Sequence, residues 1–313
     1  MKGSRQILCK SMQVVQSFDG LFGGPKSKDC SFIIDKNKYN VHIEQCMVRT
    51  YTISVENEIY TINMWSAFLV LEKLIMLMEG RFYPVSELRF EGSSDYIEDY
   101  IELSKEYSEN RLAYYSTSPG YCYHDHCFLD FSEKLDDKLM ERWIDLQNEL
   151  DIVNQVFLYN IADTGVTADV KCANLIELFE PLVEIINQNE CFFPQLQPGE
   201  HGTTLKMCID AVICKYGRDI FEQEYSHNKD AFLQILVRSR NRVMHIKRNQ
   251  PCGKYLSGAE SILYMTKICH LYRMILLILL GIPYQEFCGI LNQSIAAWNQ
   301  WENVLDHFIK TKL

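Results

Sequence analysis

Between residues 229 and 254 the chain sets seven bases, Lys229, Arg238, Arg240, Arg242, Lys247, Arg248 and Lys254, against a single acid, Asp230. Side chains of these types suit work on a phosphate. A histidine titrates at about 6.5 and can take or give a proton near neutral pH, while arginine is a permanently charged fork for phosphate oxygens. At about 100° per residue, Arg238, Asn241 and His245 fall at i, i+3 and i+7 on one helix face, bordered by the apolar Val237 and Met244. Arg240 lies about 140° from His245 at ideal pitch. Arg238 therefore shares the imidazole's face and Arg240 does not.

The patch reverses the sign of its surroundings. The 313 residues carry 31 Lys+Arg and 41 Asp+Glu, a net charge of −10. That excludes a protein that coats nucleic acid through its overall field, so any contact with a polyanion has to be local. A helix over 229–245 must hold the patch, with Phe232, Ile235, Leu236, Ser239, Val243 and Ile246 on the stripe that faces a core. Further helices are expected near 134–161, 167–188, 203–216, 257–280 and 284–310, with a Pro/Gly loop over 189–202.

Ahead of them the pattern is different. Runs rich in Ile, Val, Tyr and Thr over 31–35, 39–44, 47–55 and 58–64 read as short strands, separated by Asp-Lys-Asn-Lys and Glu-Asn-Glu turn chemistry. A helix through Phe68, Leu71, Leu74, Ile75 and Met78 stops at Gly80, and 85–90 is another strand. The acid-rich stretch 91–109 reads as a solvated helix face. Residues 1–30, with Gly20, Gly23, Gly24 and Pro25, read as an arm. The fold class is α+β: an arm over 1–30, a small mixed α/β domain over 31–130, and an all-α bundle over 131–313.

Arg240-Asn241-Arg242-Val243-Met244-His245 resembles the R-x4-H motif, with Asn after Arg, of the HEPN ribonuclease superfamily. The surrounding residues are similar to its ApeA-like branch, found in bacterial anti-phage defence. They are Thr204-Leu205-Lys206, Tyr216-Gly217-Arg218-Asp219-Ile220-Phe221, and Phe232-Leu233 leading into the motif. The resemblance covers roughly 130–313. A fainter one joins 68–90, with Glu79-Gly80-Arg81-Phe82-Tyr83-Pro84, to the end of the amino-terminal domain that accompanies such modules.

The resemblance implies an all-α HEPN bundle and a metal-independent endoribonuclease without cofactor, used as an abortive-infection toxin. Two bundles meet in a homodimer and share one composite cleft. Cleavage by the 2′-hydroxyl needs a proton removed there, a proton given to the leaving 5′-oxygen, and neutralisation of the phosphorane. Carried over, His245 is the acid/base, Arg240 the phosphate clamp and Asn241 an orienting hydrogen-bond partner, with Arg238, Arg242, Lys247 and Arg248 contacting RNA. The superfamily also tolerates R-x6-H, which fits Arg238, so the identity of the working arginine stays open. RNA and a second copy are the implied partners, and the front domain is the part that meets a phage-derived trigger or a regulatory partner. The competing reading is a non-catalytic HEPN-like module that binds RNA or protein through the same helix.

Other clusters carry less. Cys122, His124 and His126 would share one face of a strand and could offer three zinc ligands, with Cys127 facing away and no paired C-x2-C knuckle. Residues 20–27 resemble a P-loop except that Pro25 stands where a second Gly is required. Glu177, Glu180 and Glu184 form a solvated stripe, from which Glu180 could reach an arginine of the cleft. Lys267, His270 and Arg273 make a second basic row, either lining the cleft or solvated and snorkelling. The 12 cysteines lie in apolar sequence without a disulfide framework, as expected of a cytoplasmic protein, and no membrane association is expected. The apolar run 262–282 is broken by Lys267, His270 and Arg273, which makes it a core helix.

Overall fold

A computed structural model describes residues 7–17, 25–114, 127–161, 166–189, 204–245, 254–301 and 303–313. Its contacts divide the chain into two units, and the division falls inside one helix, between Asn148 and Glu149.

The first unit is a five-stranded antiparallel sheet with helices. In chain order its strands are β1 (Leu8–Ser17), β2 (Lys26–Ile34), β3 (Asn37–Gln45) and β4 (Val48–Tyr60), followed by helix α1 (Thr61–Glu79) and strand β5 (Val85–Glu91). The sheet order is β2-β3-β4-β1-β5. Asp35 and Lys36, both at positive φ, form the two-residue turn between β2 and β3 that the twist of a hairpin favours. Helix α1 packs on β1 and β4, bringing Phe68 against Tyr51 with ring centroids 5.3 Å apart. It ends at Gly80, whose φ of 74° is the left-handed cap that glycine adopts without strain.

Two expectations are corrected here. Residues 8–17, expected within an arm, form an interior strand paired to both β4 and β5. The buried positions of β1 are Cys9, Met12, Val14 and Gln16, a set too short of branched apolar residues to read as a strand. The expected strands 47–55 and 58–64 are instead the single strand β4, and the chain turns helical at Thr61. Cys9 pairs with Ile59 and Ser11 with Ser54, so Glu56-Asn57-Glu58 bulges out of the ladder and does not turn the chain.

Polar groups are buried beneath the sheet in matched sets. Arg49 donates to Gln45 Oε1 at 2.8 Å and to both oxygens of Glu79, at 2.8 and 3.1 Å. Tyr51 donates to Gln16, which donates in turn to Glu72 and to the Tyr83 carbonyl. Helix α2 (Ile97–Tyr114) lies against β5 and carries the acid-rich stretch. The short α3 (Phe131–Lys134) and the first half of α4 (Asp137–Ile161) complete the unit.

The second unit is helical. It contains the rest of α4, then α5 (Ala168–Glu177), α6 (Phe179–Asn189), α7 (Leu205–Val212), α8 (Glu222–Met244), α9 (Ala259–Leu279), α10 (Cys288–Gln300) and α11 (Val304–Lys312). The helix expected over 167–188 is broken at Leu178, and the one expected over 284–310 is broken near Trp301. A π-helical turn, Ile213–Gly217, follows α7. Helix α9 forms the core, with α5 and α11 packed on it, α8 packed on α5, and Phe232, Tyr264 and Phe308 in mutual ring contact. Helices α1 and α9 are long and apolar enough to cross a membrane, but 67% and 78% of those spans are buried, as in core helices. The whole is thus α+β, a sheet-bearing front followed by a mostly helical region.

Candidate functional site

The site is built on the last turns of α8. Asn228, at φ −159° and ψ 84°, interrupts this helix and accepts from the Ala231 N–H, so a fresh helical segment starts at Lys229 with its own cap. Phe232, Leu233, Ile235, Leu236 and Ser239 are buried and fix the rotation of that segment. Ser239 donates to the Ile235 carbonyl at 2.7 Å and accepts from the Leu256 N–H at 2.8 Å, which ties the returning chain to α8.

That rotation turns Arg240 toward α5. Its Nε and Nη2 donate to the two carboxylate oxygens of Glu177, the last residue of α5, with Nη2 at 2.6 Å from Oε1. Its Nη1 donates to Asn241 Oδ1 at 2.9 Å and lies 3.5 Å from His245 Nε2. His245 closes the helix at φ −106° and ψ 7°, no longer helical, although its N–H still reaches the Asn241 carbonyl. This departure from ideal pitch lets the imidazole meet Arg240 across the angle that a regular helix would impose. Arginine can only donate, so the contact is attractive when Nε2 offers its lone pair and the ring proton sits on Nδ1.

The hydrogen bonds to Glu177 raise the Arg240 pKa above its ordinary value; partial burial opposes them, and the charges of Glu177 and Glu180 add to the rise. The guanidinium is 20% exposed and the Glu177 side chain 37%, so the pair is shielded but reachable.

The remaining candidates are spread around this cluster. Arg238 donates to Gln234 Oε1 at 3.2 Å and is turned back along its own helix. The Arg242 guanidinium stacks over the Tyr255 ring, 4.0 Å from its centroid. Lys247 and Arg248 lie outside the described residues. Of the acidic stripe, expected to be solvated, it is Glu177 that meets the arginine, a contact the sequence had offered only to Glu180. The break at Leu178 ends α5 directly after Glu177, which a continuous helix would not have done. Tyr255 carried no signal in the sequence, because its partnership with Arg242 depends on the chain returning along α8.

The second basic row is corrected. Lys267, His270 and Arg273 neither line the cleft nor reach solvent: they are 1%, 4% and 1% exposed, inside α9. Lys267 is bonded at 2.6 Å to Glu224, and His270 lies 3.0 Å from the Thr266 carbonyl with its ring edge-on to Trp298.

Cys122, His124 and His126 lie outside the described residues. Cys127 donates to the Leu129 carbonyl, and the described residues contain no group of three or more metal-ligating side chains. Of the P-loop-like stretch, residues 20–24 are likewise outside. Lys26 opens β2 and is paired with Asp130. The nine described cysteines are free thiols, and burial pushes Cys9 and Cys30 up to about 12.

Compared with family models, curated proteins and solved structures, the chain finds no match.

Proposed function

We propose that the chain is a metal-independent endoribonuclease of the HEPN type, acting in the cytoplasm as a homodimeric abortive-infection toxin. The observation that carries this reading is the convergence on one guanidinium. Arg240 has Asn241 Oδ1 at 2.9 Å and His245 Nε2 at 3.5 Å, all within the motif that resembles the superfamily's.

His245 acts as the general base on the 2′-hydroxyl through Nε2, whose lone pair exchanges the Arg240 contact for the hydroxyl proton when RNA binds. The imidazole of a second protomer, brought to the same cleft, supplies the proton for the leaving 5′-oxygen. Such acid-base steps are worth about 10²- to 10⁴-fold. Arg240 faces the phosphorane oxygens, where a fixed donor typically contributes about 10²- to 10³-fold. Asn241 accepts from Nη1 and orients that end of the guanidinium. Arg238, Arg242, Lys247 and Arg248 hold the flanking phosphates, and the Tyr255 ring stacked on Arg242 offers a face to a base. Products carry 2′,3′-cyclic phosphate and 5′-hydroxyl ends. The front unit meets the trigger.

The test is cleavage of end-labelled RNA by purified protein in EDTA, with the product ends identified. Wild type cuts and leaves cyclic phosphate. His245→Ala and Arg240→Ala each lose at least about 100-fold in rate, while Arg238→Ala raises KM more than it lowers kcat. Cleavage by both His245→Ala and Arg240→Ala at the wild-type rate rejects the assignment. RNA retention without cleavage selects the binding-module reading.

A further inference from the structure

We propose that Glu177 is a positioning residue of this site: its carboxylate turns the Arg240 guanidinium toward His245 and neutralises it there. The catalytic part of this inference rests on the ribonuclease reading; the electrostatic part does not.

The geometry requires an anchor. Residues five apart on an ideal helix point about 140° from one another. The non-helical end at His245 supplies the imidazole's half of the approach. Glu177 supplies the other half, gripping Nε and Nη2 together, so that the guanidinium plane is set and Nη1 is left toward Asn241 and His245. A two-point grip fixes a planar fork in a way one contact cannot. Its position at the last residue of α5, the negative end of the helix dipole, favours a cation at the same place.

Donor arithmetic separates positioning from blocking. A guanidinium has five N–H bonds. Glu177 takes two, Asn241 one and His245 Nε2 one, which leaves one on Nη2. That N–H remains for a phosphate, and the Nη1 N–H joins it when His245 turns to the 2′-hydroxyl, so Glu177 can stay in place while substrate binds.

Charge gives the second role. A fixed cation 3.5 Å from an imidazole nitrogen repels the imidazolium that a general base must become. Glu177 cancels that cation at contact distance, and Glu180 at the start of α6 adds to the effect. Among the described neighbours, Arg238 is turned to Gln234 and Arg242 to Tyr255, so neither offsets it.

The experiment follows the His245 ring by NMR in the full-length protein without RNA, alongside the pH–rate profile of RNA cleavage, for wild type, Glu177→Gln and Glu177→Asp. In Glu177→Gln the His245 titration moves to lower pH, the matching limb of the rate profile moves with it, and kcat falls by about 100-fold while KM changes little. Glu177→Asp, which keeps the charge with a shorter reach, restores the titration more fully than the rate. If Glu177→Gln does not fold, the same downward movement is read in Glu177→Ala. An unmoved titration overturns the proposal, and so does a faster Glu177→Gln enzyme, which would make the carboxylate a blocker. A moved titration in a protein that never cuts RNA retires the ribonuclease reading alone.

Discussion

Lys267 and Arg240 are both cations held by a glutamate of another helix, and burial separates their roles. Lys267 and Glu224 are 1% and 0% exposed, with Phe221 and Tyr264 rings about the ammonium, so nothing in water can replace either partner. Arg240 and Glu177 reach solvent and can trade contacts. Removing one member of a fully buried pair strands the other charge, at a cost of about 3–5 kcal/mol, whereas replacing both with apolar or neutral groups of similar volume costs far less. Urea denaturation of Lys267→Ala should show a loss of that size, with most of it recovered in the double variant Lys267→Met, Glu224→Gln. A single-variant loss under about 1 kcal/mol would contradict a buried ion pair.

Among the elements, the edge strand β2 is fastened by carboxylates at the starts of two helices. Asp130 caps α3 through the Ser132 N–H and also holds Lys26, while Asp137 in the first turn of α4 accepts from the Ser31 N–H at 2.6 Å and its hydroxyl at 2.9 Å. Burial pushes the Asp130 carboxyl up, but hydrogen bonds from Lys26 and Ser132 outweigh it, and its pKa lies below the ordinary value. A carboxylate depressed on folding stabilises fully above the unfolded-state value of about 3.9 and less as pH falls through the folded-state one. Thermal unfolding from pH 7 to pH 2 should therefore show a drop below about pH 4 that is smaller in Asp130→Asn. Equal acid sensitivity of the two proteins would remove this role from the clamp.

For the molecule as a whole, the proposed cleft needs two copies of α8 side by side. Met244 is 39% exposed next to His245. The proposed homodimer puts it at the contact, so on that proposal Met244→Glu should shift sedimentation from dimer to monomer and abolish RNA cleavage, while the circular dichroism of the monomer stays that of the wild type. A dimer that survives the substitution, still active, places the contact elsewhere.

Composition and period were enough to specify an α+β chain, a helix over most of α8, the core stripe through Phe232, Ile235, Leu236 and Ser239, and the short basic patch, because these follow from spacing along one segment; Val243, expected on that stripe, is only half-buried, and Ile246 lies outside the described residues. The cap at Gly80 was legible for the same reason, as was a turn within Asp-Lys-Asn-Lys, which the structure confines to Asp35 and Lys36. What lay beyond reach depended on partners distant in sequence. Residues 8–17 become an interior strand only because β4 and β5 close on both sides, and burying Gln16 requires Tyr51, Glu72 and the Tyr83 carbonyl to meet it. The polar row of α9 is internal because Glu224, from α8, waits there. Ideal pitch favoured Arg238 as the neighbour of His245; the helix end and a carboxylate 63 residues earlier brought Arg240 there instead. Local sequence sets which side chains share a face, but the energy of a charge is set by whatever the fold brings opposite it, and no single helix contains that information.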